Sequence, residues 1–261
     1  MNPNPPPARD LAGATVVVTR PAATSTALLR RIRALGGMPL SLPGLALHAR
    51  AAPELAAADA GDAFDGWVFV SPAAVRFAFR AAPALRIPAH ALVCTVGAGT
   101  QRALARHGVA SVAPQTRADS EGLLALADLG DVRGRRFALV GAPGGRNLIA
   151  PALRQRGATV AAIHVYERGV PRWMRRTLDA LERAPVPLVT LVSSGEALEN
   201  LVQHLPPASL QRLRDHRLVV ASARLAALAS AHGFHRVHVA ASALPADLLR
   251  AAGEALRSHD S

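Results

Sequence analysis

Short apolar segments typical of β-strands alternate with Ala-, Leu- and Arg-rich segments typical of helices along nearly the whole chain. Glycines follow several of the helical segments, as Gly36 and Gly157 do. Alternation of this kind is typical of parallel sheets with helices on both faces. The sequence therefore predicts an α/β fold, with strands at Thr15–Thr19, Trp67–Val70, Leu92–Val96, Arg136–Val140, Ala161–Tyr166, Leu188–Val192, Leu218–Ala221 and Val237–Ala240.

The pattern repeats within the chain at an offset of 121 to 125 residues. Val17-Val18 with Gly36 corresponds to Ala138-Leu139 with Gly157, and Phe69-Val70-Ser71 corresponds to Val192-Ser193-Ser194. We interpret the repeat as an internal duplication that gives two doubly wound parallel-sheet lobes with a ligand cleft between them. The general likeness of α/β units to one another is the alternative explanation.

All 30 basic residues are arginine, because the sequence contains no lysine, and 18 acidic residues leave a formal net charge of +12. A guanidinium group binds carboxylate or phosphate with two parallel hydrogen bonds, so an acidic ligand is indicated. Nucleic acid is disfavoured because there is no long arginine block, no RNA-binding or helix-turn-helix pattern, and only nine aromatic residues for stacking. Arginine-rich codon usage is an alternative source of the charge.

Several classes of protein and site are excluded or disfavoured. The lone cysteine, Cys94, excludes a disulfide framework and a multi-cysteine metal site, and a reducing cytoplasm is the simplest setting. His232, His235 and His238 do not share a face, so we expect no metal. A long uncharged run, Ile87 to Gln101, has fifteen residues, short of the ~20 of a spanning helix. We expect residues 1–10 to be a tail without the apolar segment of a signal peptide.

Small residues, hydroxyls or an arginine directly follow five of the predicted strands. Loops of this kind leave backbone N–H groups at helix N-termini, where an anion can bind. Repeated on two sheets, they predict a surface that collects several negative groups of one ligand. Ordinary helix capping is the alternative for each hydroxyl. The candidate binding residues are Thr19, Arg20, Ser71, Gly97, Thr100, Arg146, Ser193 and Ser194.

Tyr166 is the only tyrosine, and it ends the predicted strand that starts at Ala161. A phenol beside a ligand can donate a proton or a hydrogen bond to a leaving hydroxyl. An amphipathic side chain lining a domain junction is the other interpretation. The usual nucleotide-binding, hydrolase and metalloprotease motifs are missing from the sequence.

Taken together and in order, these segments resemble the uroporphyrinogen-III synthase family. The resemblance runs from about Thr15 to the last predicted helix. It is carried by Val16–Pro21, Phe69–Val75, Val96–Thr100, Asp119–Leu124, the loop Gly141–Arg146, Val165-Tyr166 and Ser193-Ser194.

The resemblance implies a discontinuous lobe of residues 1–43 and 171–261, a second lobe of residues 44–162, and hinge strands at 38–43 and 161–170. It implies an enzyme that closes the linear tetrapyrrole hydroxymethylbilane to uroporphyrinogen III, inverting the last pyrrole and losing water, without a cofactor or metal. Tyr166 matches the family's tyrosine, which is proposed to assist departure of the hydroxyl. The candidate binding residues given above, together with Ser120 and Arg224, would contact the substrate.

One turn departs from the family pattern. Ser222-Ala223-Arg224-Leu225 replaces a turn that often reads Gly-Pro-x-Thr, so a cationic contact from Arg224 would replace backbone contacts there. We further expect a monomer that meets the preceding enzyme of the pathway only transiently. The alternative function is a non-catalytic two-lobed protein that binds or senses an acidic small molecule, and turnover of hydroxymethylbilane distinguishes the two.

Overall fold

The computed structural model describes residues 10–56, 62–144 and 148–258. Residues 1–9, most of the expected N-terminal tail, lie outside the described residues. The chain divides into two compact units. The first unit comprises Met1–Ala46 and Gly169–Ser261, and the second unit comprises Leu47–Arg168.

The strands and helices are numbered along the chain. The strands are β1 (Thr15–Val18), β2 (Met38–Ser41), β3 (Ala46–Ala49), β4 (Gly66–Phe69), β5 (Leu92–Thr95), β6 (Arg136–Gly141), β7 (Thr159–His164), β8 (Tyr166–Gly169), β9 (Leu188–Val192), β10 (Arg217–Val220) and β11 (Val237–Val239). The helices are α1 (Ala22–Ala34), α2 (Pro53–Ala56), α3 (Pro72–Ala81), α4 (Ala98–Ala105), α5 (Ser120–Leu124), α6 (Ile149–Gln155), α7 (Arg175–Glu182), α8 (Gly195–His204), α9 (Pro207–Arg214), α10 (Ala223–Ala231) and α11 (Pro245–Arg257).

The first unit is built on a parallel sheet with the strand order β11-β10-β9-β1-β2. Successive side chains of β1 enter opposite faces: Val17 packs with leucines of α7, α8 and α9, while Val16 and Val18 pack with α1 and α11. Every residue of β9 is buried, as expected for a parallel strand covered on both faces. The core of this unit is therefore two apolar layers separated by the sheet.

The second unit is built on a parallel sheet with the order β5-β4-β6-β7. Trp67 and Phe69 of β4 pack in one apolar layer with α3 and α4, and Val68 packs in the other with α6. Both faces of this sheet are thus covered by helices, and the doubly wound α/β prediction is confirmed for each unit.

The two sheets share a strand order that matches the sequence repeat. The order β5-β4-β6-β7 of the second unit corresponds to β10-β9-β1-β2 of the first, which pairs β6 with β1 and β4 with β9. A parallel bridge between Cys94 and Val112 lies beside β5, where the first unit has β11 beside β10. Gly36 and Gly157 follow α1 and α6 with positive φ angles of 82° and 88°, so the predicted helix ends are confirmed.

The hinge role of residues 38–43 and 161–170 stays a prediction, and the structure assigns strands within both ranges. Residues 38–41 form β2, the edge of the first sheet, because their backbone pairs with β1. The predicted strand Ala161–Tyr166 is β7, the edge of the second sheet, and Tyr166 begins the separate strand β8. The chain passes between the units in β8 and in β3, which pairs with it and was not predicted. The arrangement of the units as lobes about a cleft stays a prediction.

Candidate functional site

Tyr166 lies in the second unit, where one contact holds its ring and another holds its hydroxyl. The ring stacks on Phe77, with ring centroids 5.3 Å apart and an interplanar angle of 20°. The phenolic Oη lies 3.2 Å from Oγ of Ser71, the residue that caps α3. Only 4% of Tyr166 is exposed, so its position is set by these contacts rather than by solvent.

A cavity of about 670 Å³ adjoins Tyr166 at the carboxyl ends of the second sheet's strands. Val70, Val96 and Gly141, at or just beyond the ends of β4, β5 and β6, form part of its wall. Ser120 contributes the first residue of α5. The carboxyl edge of a doubly wound sheet is where such folds bind ligands, so this cavity is the candidate site.

The charged side chains around the cavity are mainly cationic. The cationic side chains of Arg154 and Arg168 line it, His164 lies beside them, and Asp119 is the acidic residue in its wall. The Asp119 carboxylate accepts a hydrogen bond from the Gly122 backbone N–H at 2.8 Å and pairs with Arg117, whose pKa is raised by that contact. Since Asp119 is already compensated, the cavity is suited to carboxylate groups.

The predicted residues of the first unit also lie where its strands end. Thr19 follows β1, is 1% exposed, and donates from Oγ1 to the Leu191 carbonyl at 2.8 Å. Its hydroxyl therefore links β1 to β9. Arg20 donates to the Ala243 carbonyl, and its Nε has no hydrogen-bond partner among the described residues. Burial lowers the pKa of Arg20.

Ser193, Ser194 and Arg224 occupy the same edge of the first sheet. Ser194 caps α8, because its Oγ accepts a hydrogen bond from the Ala197 N–H at 3.4 Å. Arg224 is exposed in the first turn of α10, which Ser222 caps. The structure thus gives the hydroxyl of Ser194 a capping role and leaves Arg224 accessible.

The remaining predicted residues fall in the second unit. Gly97 caps α4 with an extended backbone, and its carbonyl accepts the N–H of Thr100, which is 2% exposed. Neither of these two residues lines the cavity, whereas Ser120 does. Arg146 lies outside the described residues. The structure therefore brings Ser120 and Tyr166 together around one space, with Ser71 bonded to Tyr166.

A family model described as Uroporphyrinogen-III synthase HemD matches residues 26–250. The chain belongs to the uroporphyrinogen-III synthase family. Proteins named uroporphyrinogen-III synthase are 33% identical in Salmonella typhimurium and 32% identical in Escherichia coli strain K12. Each match covers 91% of this chain and 99% of the relative. The resemblance inferred from the motifs is confirmed, and family membership favours the enzyme over the sensor alternative.

Solved structures of other uroporphyrinogen-III synthases share the fold. A mutant from the extremely thermophilic bacterium Thermus thermophilus is 21% identical with a TM-score of 0.55, covering 95% of this chain and 100% of its own. The enzyme from Helicobacter pylori 26695 is 12% identical with a TM-score of 0.62, covering 92% of this chain and 98% of its own.

Sequence reasoning missed the three basic side chains that line the cavity. His164 and Arg168 flank Tyr166 at a spacing of two residues, and alternate residues of an extended chain share a face. That spacing could have identified both. Arg154 projects from α6 and donates to the Val160 carbonyl at 3.0 Å. It carries no sequence signal that separates it from the chain's other helical arginines.

Cys94 takes no part in this site. Burial is the main cause that raises its pKa to about 12, and the charge of Asp128 adds to the shift, so the thiolate nucleophile is disfavoured. Within residues 10–56, 62–144 and 148–258, no three His, Cys, Asp or Glu side chains are grouped to hold a metal ion. No helix in the described part of the chain is long and apolar enough to span a membrane.

Proposed function

We propose that the chain closes hydroxymethylbilane to uroporphyrinogen III, with inversion of the last pyrrole ring, and that Tyr166 acts on the hydroxyl that leaves. The supporting observation is the position of the phenol, which is held by Ser71 and Phe77 at the wall of a cationic cavity. A proton donor beside arginines suits a substrate that carries carboxylates and loses water.

The substrate's charge accounts for the residues around the cavity. Each pyrrole of hydroxymethylbilane carries two carboxylate side chains, and Arg154, His164 and Arg168 offer N–H donors to such groups. In the first unit, Arg20, Arg224 and the backbone N–H groups near Ser193 and Ser194 are the proposed contacts for further carboxylates. Thr19 supports the strand pairing that places Arg20.

The bond changes balance without a metal or redox step. The C–O bond of the hydroxymethyl group breaks with its electron pair going to oxygen, and the pyrrole nitrogen's electron pair completes an azafulvenium cation. The Tyr166 phenol gives a proton to the departing oxygen, which leaves as water. The substituted α-carbon of the terminal pyrrole bonds to the azafulvenium carbon and gives a spirocyclic intermediate. The bond from that α-carbon to the methylene bridge of the preceding pyrrole then breaks, which leaves an azafulvene on the preceding ring. The free α-carbon of the terminal pyrrole bonds to that methylene carbon and loses its proton, which restores the phenol.

In this scheme, the way the protein positions the substrate contributes more to catalysis than the acid strength of the Tyr166 phenol does. The reason is that the electron-rich pyrrole already favours loss of the hydroxyl. The protein must hold a flexible chain so that closure goes through a spirocyclic intermediate, the route that inverts the ring. We further propose that the enzyme works as a monomer in the cytoplasm and meets the preceding enzyme only transiently.

The decisive experiment is an assay of the product isomer. Purified protein is mixed with hydroxymethylbilane, and the products are oxidised and separated as uroporphyrin isomers. The type III isomer is expected, while a reaction without protein provides the uninverted type I product as the control. Type I alone in the presence of folded protein would refute the proposal.

The Tyr166→Phe variant tests the role of the phenol. Removal of the hydroxyl should lower kcat by about 10- to 100-fold, because the pyrrole still expels its hydroxyl without the donor. The Phe77 stack is retained, so circular dichroism and binding of the substrate should match the parent protein. Unchanged kcat would remove Tyr166 from the chemistry, and a folded, binding but inert variant would show that the positional mechanism is wrong.

A further inference from the structure

The Ser71 hydroxyl stands between the N-terminus of α3 and the Tyr166 phenol. Its Oγ accepts a hydrogen bond from the Ala74 N–H at 3.0 Å and lies 3.2 Å from Tyr166 Oη. The backbone N–H can only donate, so the Ser71 oxygen is the acceptor in that contact. The Ser71 proton is left for another acceptor.

Tyr166 Oη is the acceptor within reach of that proton. Among the described residues, no other hydrogen-bond acceptor contacts the Ser71 hydroxyl. If Tyr166 donated to Ser71 instead, the serine proton would have no partner there and the phenol would have no proton left for the cavity. Donation from Ser71 to Tyr166 satisfies both hydroxyls once a ligand hydroxyl is present.

One helix supplies both supports of the phenol. Ser71 caps α3, and Phe77, further along α3, stacks on the Tyr166 ring. The positive end of the helix dipole lies at Ser71 and favours electron density on the oxygens that accept bonds there. A chain of donors from Ala74 N–H through Ser71 to Tyr166 would also be strengthened by mutual polarisation.

We infer that Ser71 is a positioning residue whose hydroxyl donates to Tyr166 Oη and thereby keeps the phenol proton directed at the leaving group. The inference rests on the proposed function of Tyr166. When the phenol gives up its proton, the Ser71 hydrogen bond meets the negative charge that develops on Oη. Helix capping alone does not require this arrangement, since Ser194 caps α8 and Ser222 caps α10 without a tyrosine.

The spectroscopic test uses the fact that Tyr166 is the only tyrosine in the chain. In Raman spectra, the intensity ratio of the tyrosine Fermi doublet falls when the phenolic oxygen loses a donated hydrogen bond. Ser71→Gly is the main variant, because glycine retains most of the capping stability while removing the hydroxyl. The ratio should fall in Ser71→Gly and return in Ser71→Thr. Ser222→Ala, which removes a helix cap in the first unit, should leave it unchanged.

The kinetic test separates positioning from substrate binding. Ser71→Gly should lower kcat by about three- to tenfold, the value of one neutral hydrogen bond, with little change in KM. The Ser71→Gly/Tyr166→Phe double variant should be no slower than Tyr166→Phe. An unchanged doublet or an unchanged kcat in Ser71→Gly would overturn the inference. Wild-type kcat in Tyr166→Phe would instead overturn the proposed role of the phenol, so the two failures differ.

Discussion

Many arginine side chains are engaged by backbone carbonyls near helix ends, where they complete hydrogen bonds that the helices leave open. Arg156 donates to the carbonyls of Leu124 and Leu129 at 2.9 and 2.7 Å. Arg212 and Arg214 donate to the carbonyls of Ala184 and His232 in the same way. These guanidinium groups serve the fold. The net charge of +12 therefore overstates the number of cations available to a ligand.

Arg20 and Arg224 are the two arginines of the first unit for which we predict a binding role, and Arg20 gives the sharper test because it is partly buried. Arg20→Ala should raise KM for hydroxymethylbilane more than it lowers kcat, because a contact made equally in the bound and transition states affects binding alone. Steady-state kinetics measure both parameters. Arg30→Ala, which removes an exposed arginine of α1, controls for the loss of one charge. Equal effects of the two variants on KM would count against the contact.

At this scale, the sequence predicted the residues whose role follows from local position. Ser71 and Ser194 were foreseen at the ends of strands, and both cap helices. Tyr166 stood out as a single phenol. The contact of Arg20 with Ala243 joins residues 223 positions apart, and only the folded sheet brings them together. The sequence thus indicated the chemistry of single residues, but it did not indicate which residues far apart in the chain contact each other.

Strand–serine–helix units recur in both halves of the chain, and they were the most predictable elements. The apolar strand, the capping hydroxyl and the amphipathic helix each leave a local signal. β3 and β8 were missed as separate strands because each has four residues and few are buried. Residues 120–129 contain α5 and a short 3-10 turn at Ala127–Leu129 rather than one continuous helix.

Gly66 provides a test of how tightly β4 packs against β6. A Cβ added at Gly66 would lie 2.2 Å from the ring of Phe137, which is fully buried. Gly66→Ala should therefore lower the free energy of unfolding by about 2 kcal/mol or more, as measured by urea denaturation.

Two further variants make the packing test specific. Gly99→Ala places its Cβ at an ordinary 3.6 Å from Pro72, so it should be neutral or stabilising. Adding Phe137→Leu to Gly66→Ala should cost less than the sum of the two single changes, because the shorter side chain relieves the clash. If the two changes in the free energy of unfolding were strictly additive, the clash with Phe137 would not be the cause of the destabilisation by Gly66→Ala.

The first unit carries a titratable group that links its stability to pH. His216 lies between α9 and β10, and burial lowers its pKa, as do Arg212, Arg236 and Arg217, while Asp215 opposes them. The folded state therefore takes up a proton at lower pH than the unfolded state does. The stability that neutral His216 provides is complete above its unfolded pKa of about 6.5 and is lost as pH falls toward the folded value.

His216→Gln tests this link. Urea unfolding between about pH 8 and pH 5 should show the free energy of unfolding falling below about pH 6.5 more steeply in the parent than in His216→Gln. The other histidines are common to both proteins, so the difference between the two curves isolates His216. Parallel curves would contradict the prediction.

The position of β1 has a consequence for synthesis of the chain. β1 lies between β2 and β9 and pairs residue by residue with β9, from Thr15 with Leu188 to Val18 with Leu191. All residues of the contiguous second unit are synthesised before β9. Until both β9 and the C-terminal helix α11 have been made, Val16 and Val18 lack elements that cover them in the finished protein. The apolar segment of β1 therefore stays exposed in the nascent chain. We expect chaperones that act at the ribosome exit to bind this segment.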